Sequence, residues 1–286
     1  MKKQETKGKI FVAYHKPASI LEEDFIIPIH AGRGCTEEHK DSTAVREEDL
    51  AFLRKLDGDD TGDNISDRNN EFNECSLLYW VWKNVDLDHL SYVGLFQYRR
   101  QLILNDVFDK SKNDFEKRVY KCVHFKKIDK NFSSQIGLTE EKIVDTLRHY
   151  DCIVPYQTDL AAMNISSPYE DWVRKIPGVH LNDLVALEEL VSKMHPEMAE
   201  DFNAYLNSPK KRMYQIFIAK PTVMKDYCKW LFNILFEIDK KINSDMYSVN
   251  GKRTIGYLAE ILYGFYFTYM GDKIKIKECG VSFIEG

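Results

Sequence analysis

The apolar residues of the chain come first in short runs. Residues 9–14 (KIFVAY) and 25–30 (FIIPIH) are apolar, β-rich and brief, so each predicts a buried strand. Residues 31–34 read as a turn after the second strand. Residues 56–70 (LDGDDTGDNISDRNN) are the most turn-rich stretch of the chain. The period then changes: Phe72, Cys75, Leu78, Tyr79 and Trp82 fall at helical spacing and predict a helix over 71–86. Residues 90–96 (LSYVGLF) return to strand and run into Gln97-Tyr98-Arg99-Arg100. Strand, turn, loop, helix and strand over the first hundred residues suit a parallel α/β sheet.

Residues 105–135 are mixed and charged, without a clear period. A helix is predicted over 139–149, with Glu140 and Glu141 in the first turn, where the helix dipole favours acids. A strand over 150–155 follows, then a loop over 156–179 that contains Pro168, Pro177 and Gly178. The pattern continues with a helix over 182–194 stopped by Pro196 and a strand over 214–219. A long amphipathic helix over 221–242 carries Pro221 at an early position that tolerates it. An aromatic-rich helix over 253–270 and an alternating, edge-like strand over 273–283 complete the pattern. No repeat, low-complexity tract or linker divides the chain, so one domain over 1–286 is expected.

Composition narrows the class. With 286 residues and 44% hydrophobic content the chain can bury a sizeable core, which excludes global disorder. The net charge of −5 argues against a general nucleic-acid binder. Cys35, Cys75, Cys122, Cys152, Cys228 and Cys279 are scattered without a CxxC pair, so buried thiols are expected rather than a zinc site or disulfide scaffold. The polar N-terminus leads straight into a strand-like run, without a signal-peptide core. No apolar run reaches the roughly 18–20 residues that span a bilayer. The nearest, 257–270, is too short and contains Glu260. A soluble cytoplasmic protein is therefore expected. The 16 Tyr, 16 Phe and 4 Trp matter because some stand beside charge: Tyr14 by His15-Lys16, Tyr98 by Arg99-Arg100, and Tyr257 near Glu260.

Several segments in order carry a family resemblance: KIFVAYHKP, FIIPIHAGRG, GDDTGDNIS, NECSLLYWVWKN, YVGLFQYRR, YQIFIAKPTVMKDYCKWLF and RTIGYLAEIL. Together they resemble a bacterial capsular and exopolysaccharide-synthesis family long filed as a domain of unknown function, over nearly the whole chain. The resemblance implies a GT-A-like α/β fold, with a mixed, mainly parallel sheet flanked by helices. It implies a nucleotide-sugar-binding half over 1–105 and an acceptor-side half over 106–286. The implied activity is transfer of galactose, in pyranose or furanose form, from a UDP-sugar to a glycan or lipid-linked saccharide at the inner membrane face. No nucleic-acid partner is implied. The alternative is a catalytically silent nucleotide-sugar-binding module. The family usually has His where this chain has Gln97, and Asn where it has Gln215.

Such chemistry needs a grip on a diphosphate and, for an inverting enzyme, a base beside the acceptor hydroxyl. In α/β sheets, ligands sit outside the carboxyl ends of the strands. The resemblance therefore points to Tyr14 bordering the uracil, with His15 and Lys16 near ribose or phosphate; a solvated strand end is the other reading. Gly32 and Arg33 can approach the nucleotide, or simply form a turn. Asp59, Asp60 and Asp63 could hold Mg²⁺ or Mn²⁺. The same loop, with Asn64, could instead bind sugar hydroxyls or form an acidic surface turn. Glu74 and Lys83 on the following helix are donor-side candidates. Gln97, Tyr98, Arg99 and Arg100 stand where metal-dependent GT-A enzymes carry Asp-x-Asp. Arg99 or Arg100 would offset the leaving-diphosphate charge in place of a metal, or would pair with the acidic loop. On the acceptor side stand His180, Asp183, Gln215, Arg253 and Tyr257. Glu260 is the candidate base, and the competing reading is an ion pair with an arginine.

Overall fold

The computed structural model of the chain describes residues 7–38, 46–105, 119–175, 178–243, 247–248 and 250–285. The polar N-terminal six residues, much of the charged 105–135 stretch and Pro177 lie outside these. Strand β1 (Lys9–Tyr14) pairs in parallel with β2 (Ile26–His30), and β2 with the short β3 (Asp57–Gly58). On its other side β1 pairs in parallel with β4 (Val93–Gln97). The N-terminal half thus has the parallel sheet its pattern predicts. The β2–β3 connection carries helices α1 (Arg33–Glu38) and α2 (Glu47–Leu53).

The rest of the nine-stranded sheet is mixed. β5 (Arg100–Ile103) turns back antiparallel to β4. β6 (Cys122–Phe125), β7 (Cys152–Pro155) and β10 (Phe217–Ala219) are joined through β11 (Ile276–Ile284) or β4. β10 bonds both β4 and β7 antiparallel, and β11 bonds β7 in parallel and β5 antiparallel. β4, β10, β7, β11 and β5 therefore close into a ring. The segment expected as an edge strand, β11, is interior: it also pairs with β6, and closure gives both its edges partners.

Two further expectations are corrected. The predicted 156–179 loop contains strand β8 (Gln157–Asp159), which pairs with β9 (Lys210–Arg212), and a helix over Pro168–Lys175. Pro168 opens that helix at a position needing no N–H donor, and Trp172, fully buried, anchors it. The predicted helix over 71–86 is two helices, α3 (Asn69–Phe72) and α4 (Cys75–Asn84). They break at Asn73, whose φ is +52°. Asn69 Nδ2 holds the break by donating to the Asn73 carbonyl at 2.7 Å.

The remaining helices are α5 (Phe132–Ile136), α6 (Glu140–His149), α7 (Pro168–Lys175), α8 (Leu181–Met194), α9 (Ala199–Leu206), α10 (Pro221–Asp239) and α11 (Thr254–Tyr269). Thr139, expected as the first helical residue, instead caps α6 through its side chain. Alternation along β1 sorts its side chains between two cores. Phe11 and Ala13 join the large aromatic cluster beneath α4, α10 and α11, while Ile10, Val12 and Tyr14 join the opposite one. Most of the aromatic surplus lies in these cores. The six cysteines are buried thiols. Among the described residues no helix is long and apolar enough to cross a membrane.

One buried carboxylate ties the N-terminal half together. Asp59, fully buried, accepts from the Gly32 and Arg33 amides at 2.9–3.2 Å, from Ser76 Oγ at 2.7 Å and from Ser66 Oγ. Gly32 has φ +74°, and a Cβ there would fall 2.5 Å from Asn69. Removing the carboxylate leaves several buried donors without an acceptor. Asp59→Ala is expected to cost about 3 kcal/mol or more. The measurement is the urea-unfolding midpoint, which drops at an unchanged slope; a midpoint within error of the wild type contradicts the role.

Candidate functional site

The carboxyl ends of β1 and β4 lie side by side, joined by the Tyr98 amide, which donates to the Ala13 carbonyl at 3.1 Å. From these ends emerge His15-Lys16 and Gln97-Tyr98-Arg99-Arg100. The start of α4 contributes Glu74, and the residue before α11 contributes Arg253. The His15 ring meets the buried Tyr98 ring edge-on at 5.1 Å, so Tyr98 supports the site from below. Arg99 lies over the Tyr98 ring at 5.2 Å. Arg100 lies over Tyr214 at 4.9 Å and over Phe283 at 5.4 Å.

Lys16, Arg99, Arg100 and Arg253 surround His15. Burial first, and then these four charges, push the His15 imidazole down to about 4. The residue is nevertheless exposed to solvent, so the surrounding packing lies on one side of the ring only. Among the described residues none of the four cations forms an ion pair. Arg100 donates to Gln97 Oε1 at 2.6 Å, and Arg253 Nε donates to Asn73 Oδ1 at 2.7 Å, so both are oriented by neutral groups. The buried Nε atoms of Arg99 and Arg100 have no hydrogen-bond partner among the described residues. The expected alternative, pairing of these arginines with the acidic loop, is not what the structure contains. Oriented but unneutralised guanidinium groups form a basin for an anion with several oxygens.

Gln97 organises the neighbouring wall. Its Nε2 donates to Glu74 Oε1 and to the Tyr214 carbonyl at 3.3 Å, while its Oε1 takes the Arg100 bond. Burial, the largest influence, raises the Glu74 pKa, and the Glu260 carboxylate adds to it; Arg253 and Arg100 act in the opposite direction. Glu260 itself is committed. Its Oε2 accepts from the Tyr214 amide at 3.1 Å, and its Oε1 lies 3.6 Å from Lys211 Nζ. The expected arginine pairing of Glu260 is thus a lysine pairing. Lys211 is buried and also bonds Asp171 at 2.9 Å. Burial opposes the Lys211 charge, but Glu260 and Asp171 hold its pKa above the usual lysine value. Tyr257 lies on the same side of α11, with Arg253 5.5 Å from its ring.

Several sequence candidates stand elsewhere. Tyr14 is 1% exposed, packed against Phe52 and Tyr98, with its hydroxyl donating to the Ser19 carbonyl, so it does not border a base. Strand alternation puts it in the core opposite α4. Gln215 is also buried, with Nε2 directed to Cys75 Sγ and Tyr227 Oη. Positive φ at Tyr214 and Gln215 delays the start of the predicted strand to Phe217, and the amide is turned inward. Asp183 is a buried tie that accepts from Tyr247 Oη at 2.8 Å and Thr254 Oγ1 at 3.3 Å. His180 precedes α8 with its ring against Tyr247, and its side chain caps nothing.

The acidic loop disperses. Asp59 is the buried tie described above, and Gly32 serves it through its amide. Asp60 faces Arg33 at 4.0 Å. Asp63 accepts from Tyr79 Oη at 3.0 Å and lies 3.9 Å from Lys83. Asn64 closes its own turn, donating to the Gly62 carbonyl and accepting from the Ser66 amide. Lys83 is nine residues along from Glu74, about 13 Å at the helical rise, so it belongs to another part of the surface. These carboxylates do not converge as metal ligands. Among the described residues no group of three or more His, Cys, Asp or Glu side chains could hold a metal ion. Sequence reading missed Asn73, Lys211 and Tyr214. No pattern in the sequence flags them, and the apolar period runs on across Asn73.

The profile of a family described as a domain of unknown function (DUF4422) matches residues 9–271. No curated protein gives a significant match. Among solved structures, the chain is similar to the apo structure of WbbM, a bifunctional glycosyltransferase, with TM-score 0.82 and 28% identity. The match covers 98% of this chain and 46% of the WbbM chain, so this chain spans about half of that protein.

The cation cluster predicts the titration of His15. Its folded-state pKa lies below the unfolded value, so its contribution to stability is present above about pH 6.5 and is lost as pH falls towards about 4. By NMR the ring should titrate near 4 in the free protein. Added inorganic pyrophosphate should raise that midpoint by screening the four cations. A free-protein midpoint near the ordinary histidine value contradicts the cluster.

Proposed function

The chain belongs to the DUF4422 family, and from that premise we propose that it is a glycosyltransferase of GT-A type, using a UDP-sugar donor. The observation that carries this reading is the basin of Lys16, Arg99, Arg100 and Arg253 at the carboxyl ends of β1 and β4, without carboxylate partners among the described residues. A diphosphate fits that chemistry: it presents several oxygens and gains charge when the glycosyl bond breaks. Guanidinium groups held beforehand by Gln97 and Asn73 stabilise that charge with little reorganisation. The likeness to WbbM supports glycosyl transfer as the reaction class. Because the acidic loop does not gather ligands, no step is assigned to a divalent cation.

In this reading the N-terminal half binds the nucleotide sugar, and α8, α11 and their connections shape the acceptor side. Galactose is the proposed sugar. The acceptor is a glycan or lipid-linked saccharide of capsule or exopolysaccharide synthesis, met at the cytoplasmic face of the membrane. Gln97, which stands for the usual histidine, keeps hydrogen bonds to both Glu74 and Arg100. That supports an active enzyme over a silent binding module.

Thermal-shift measurements across UDP-sugars, with and without Mn²⁺, test the reading. A ligand at 100 times its dissociation constant stabilises the fold by about 2.7 kcal/mol. Arg100→Ala and Arg99→Ala are each expected to weaken UDP binding about tenfold to a hundredfold, as for loss of a charge-assisted hydrogen bond. No shift with any UDP compound overturns the proposal.

A further inference from the structure

We infer that Glu74, rather than Glu260, is the catalytic base, with Gln97 as its positioning residue; this rests on the glycosyltransferase reading above. The two carboxylates lie near enough for the charge of one to act on the other, but they differ in their commitments. Both Glu260 oxygens are engaged, one with the Tyr214 amide and one with Lys211, whose other partner is the buried Asp171. With both oxygens taken up by these partners, Glu260 has no oxygen left free to receive a hydroxyl proton. Glu74 forms no ion pair among the described residues. Gln97 Nε2 bonds its Oε1, and the same Gln97 carries Arg100 on its Oε1. The amide thus sets the carboxylate and the anion-binding guanidinium in one arrangement, and Arg253, on the other side, is held to Asn73 next to Glu74.

The groups that face Glu74 come from several elements. Gln97 and Arg100 come from the β4–β5 turn, Arg253 from the start of α11, Glu260 from α11 and Cys75 from α4. Burial and Glu260 make the carboxylate more basic, and Arg253 and Arg100 oppose them. A base beside the diphosphate basin has a defined role. The acceptor hydroxyl oxygen bonds the anomeric carbon as the bond from that carbon to the β-phosphate oxygen breaks. The electron pair leaves with UDP, and the hydroxyl proton passes to Glu74. Glu74 then returns the proton to solvent.

The experiment uses slow hydrolysis of UDP-galactose, in which water is the acceptor, and UDP binding measured on the same proteins. Glu74→Gln should lower UDP release about 100- to 10,000-fold while binding UDP no more weakly. Glu74→Asp should recover part of the rate. Glu260→Gln should remain active, with the acidic limb of its pH–rate profile moved to lower pH, because a negative charge that raises the Glu74 pKa has been removed. Hydrolysis by Glu74→Gln at the wild-type rate, or loss of activity in Glu260→Gln with UDP binding intact, overturns the assignment and leaves the glycosyltransferase reading standing. Failure of the wild type to bind UDP overturns that reading and the assignment with it.

Discussion

The cleft depends on the buried carboxylate of Asp59. It gathers the turn after β2, the segment after β3 and the first turn of α4 around two oxygens. Burying a carboxylate is costly unless its oxygens are filled with donors, and here amides and hydroxyls fill them. That demand fixes where α4 begins relative to the sheet, and therefore where Glu74 points. An acidic loop that reads as a surface or metal-binding feature contains, at its centre, an internal fastener.

The cleft above this fastener is built in the opposite way. Four cations converge without an ion-pair partner among the described residues, and the imidazole among them is driven neutral. Like charges held together destabilise a fold, and neutral groups restrain them: Gln97 for Arg100, Asn73 for Arg253, and the Tyr98 and Tyr214 rings beneath Arg99 and Arg100. An arrangement that costs stability in the free protein but becomes favourable once an anion enters is what an active site tends to retain. The ion pairs that could have neutralised it are used elsewhere, with Lys211 on Asp171 and Glu260, and Arg212 on Glu278.

The candidate site was legible where chemistry follows strand order. His15, Lys16, Arg99 and Arg100 follow strands β1 and β4, which are adjacent and parallel, so their meeting could be anticipated. Tyr14 and Gln215 are buried away from this cluster for local reasons. Alternation hides the first beneath the sheet, and two consecutive positive φ values turn the second inward. The helix break at Asn73 was also invisible to periodicity, because the apolar positions continue across it. It depends on a distant requirement: Gly256 must lack a Cβ there, since one would fall 1.9 Å from Asn73 Nδ2.

By itself the sequence determined the elements with a strong period, the parallel pairing of the N-terminal strands, and the basic residues that follow β1 and β4. Those depend on local composition and short-range spacing, which the chain carries in its order. The tertiary structure alone decided the closure of the second half of the sheet through β10 and β11, which turned a predicted edge strand into an interior one. It also decided which carboxylates are occupied. Asp59 and Glu260 are saturated by partners from other elements, up to tens of residues distant, whereas Glu74 is not. Whether an acid serves as a fastener or stays available depends on which donors reach it, and long-range packing sets that.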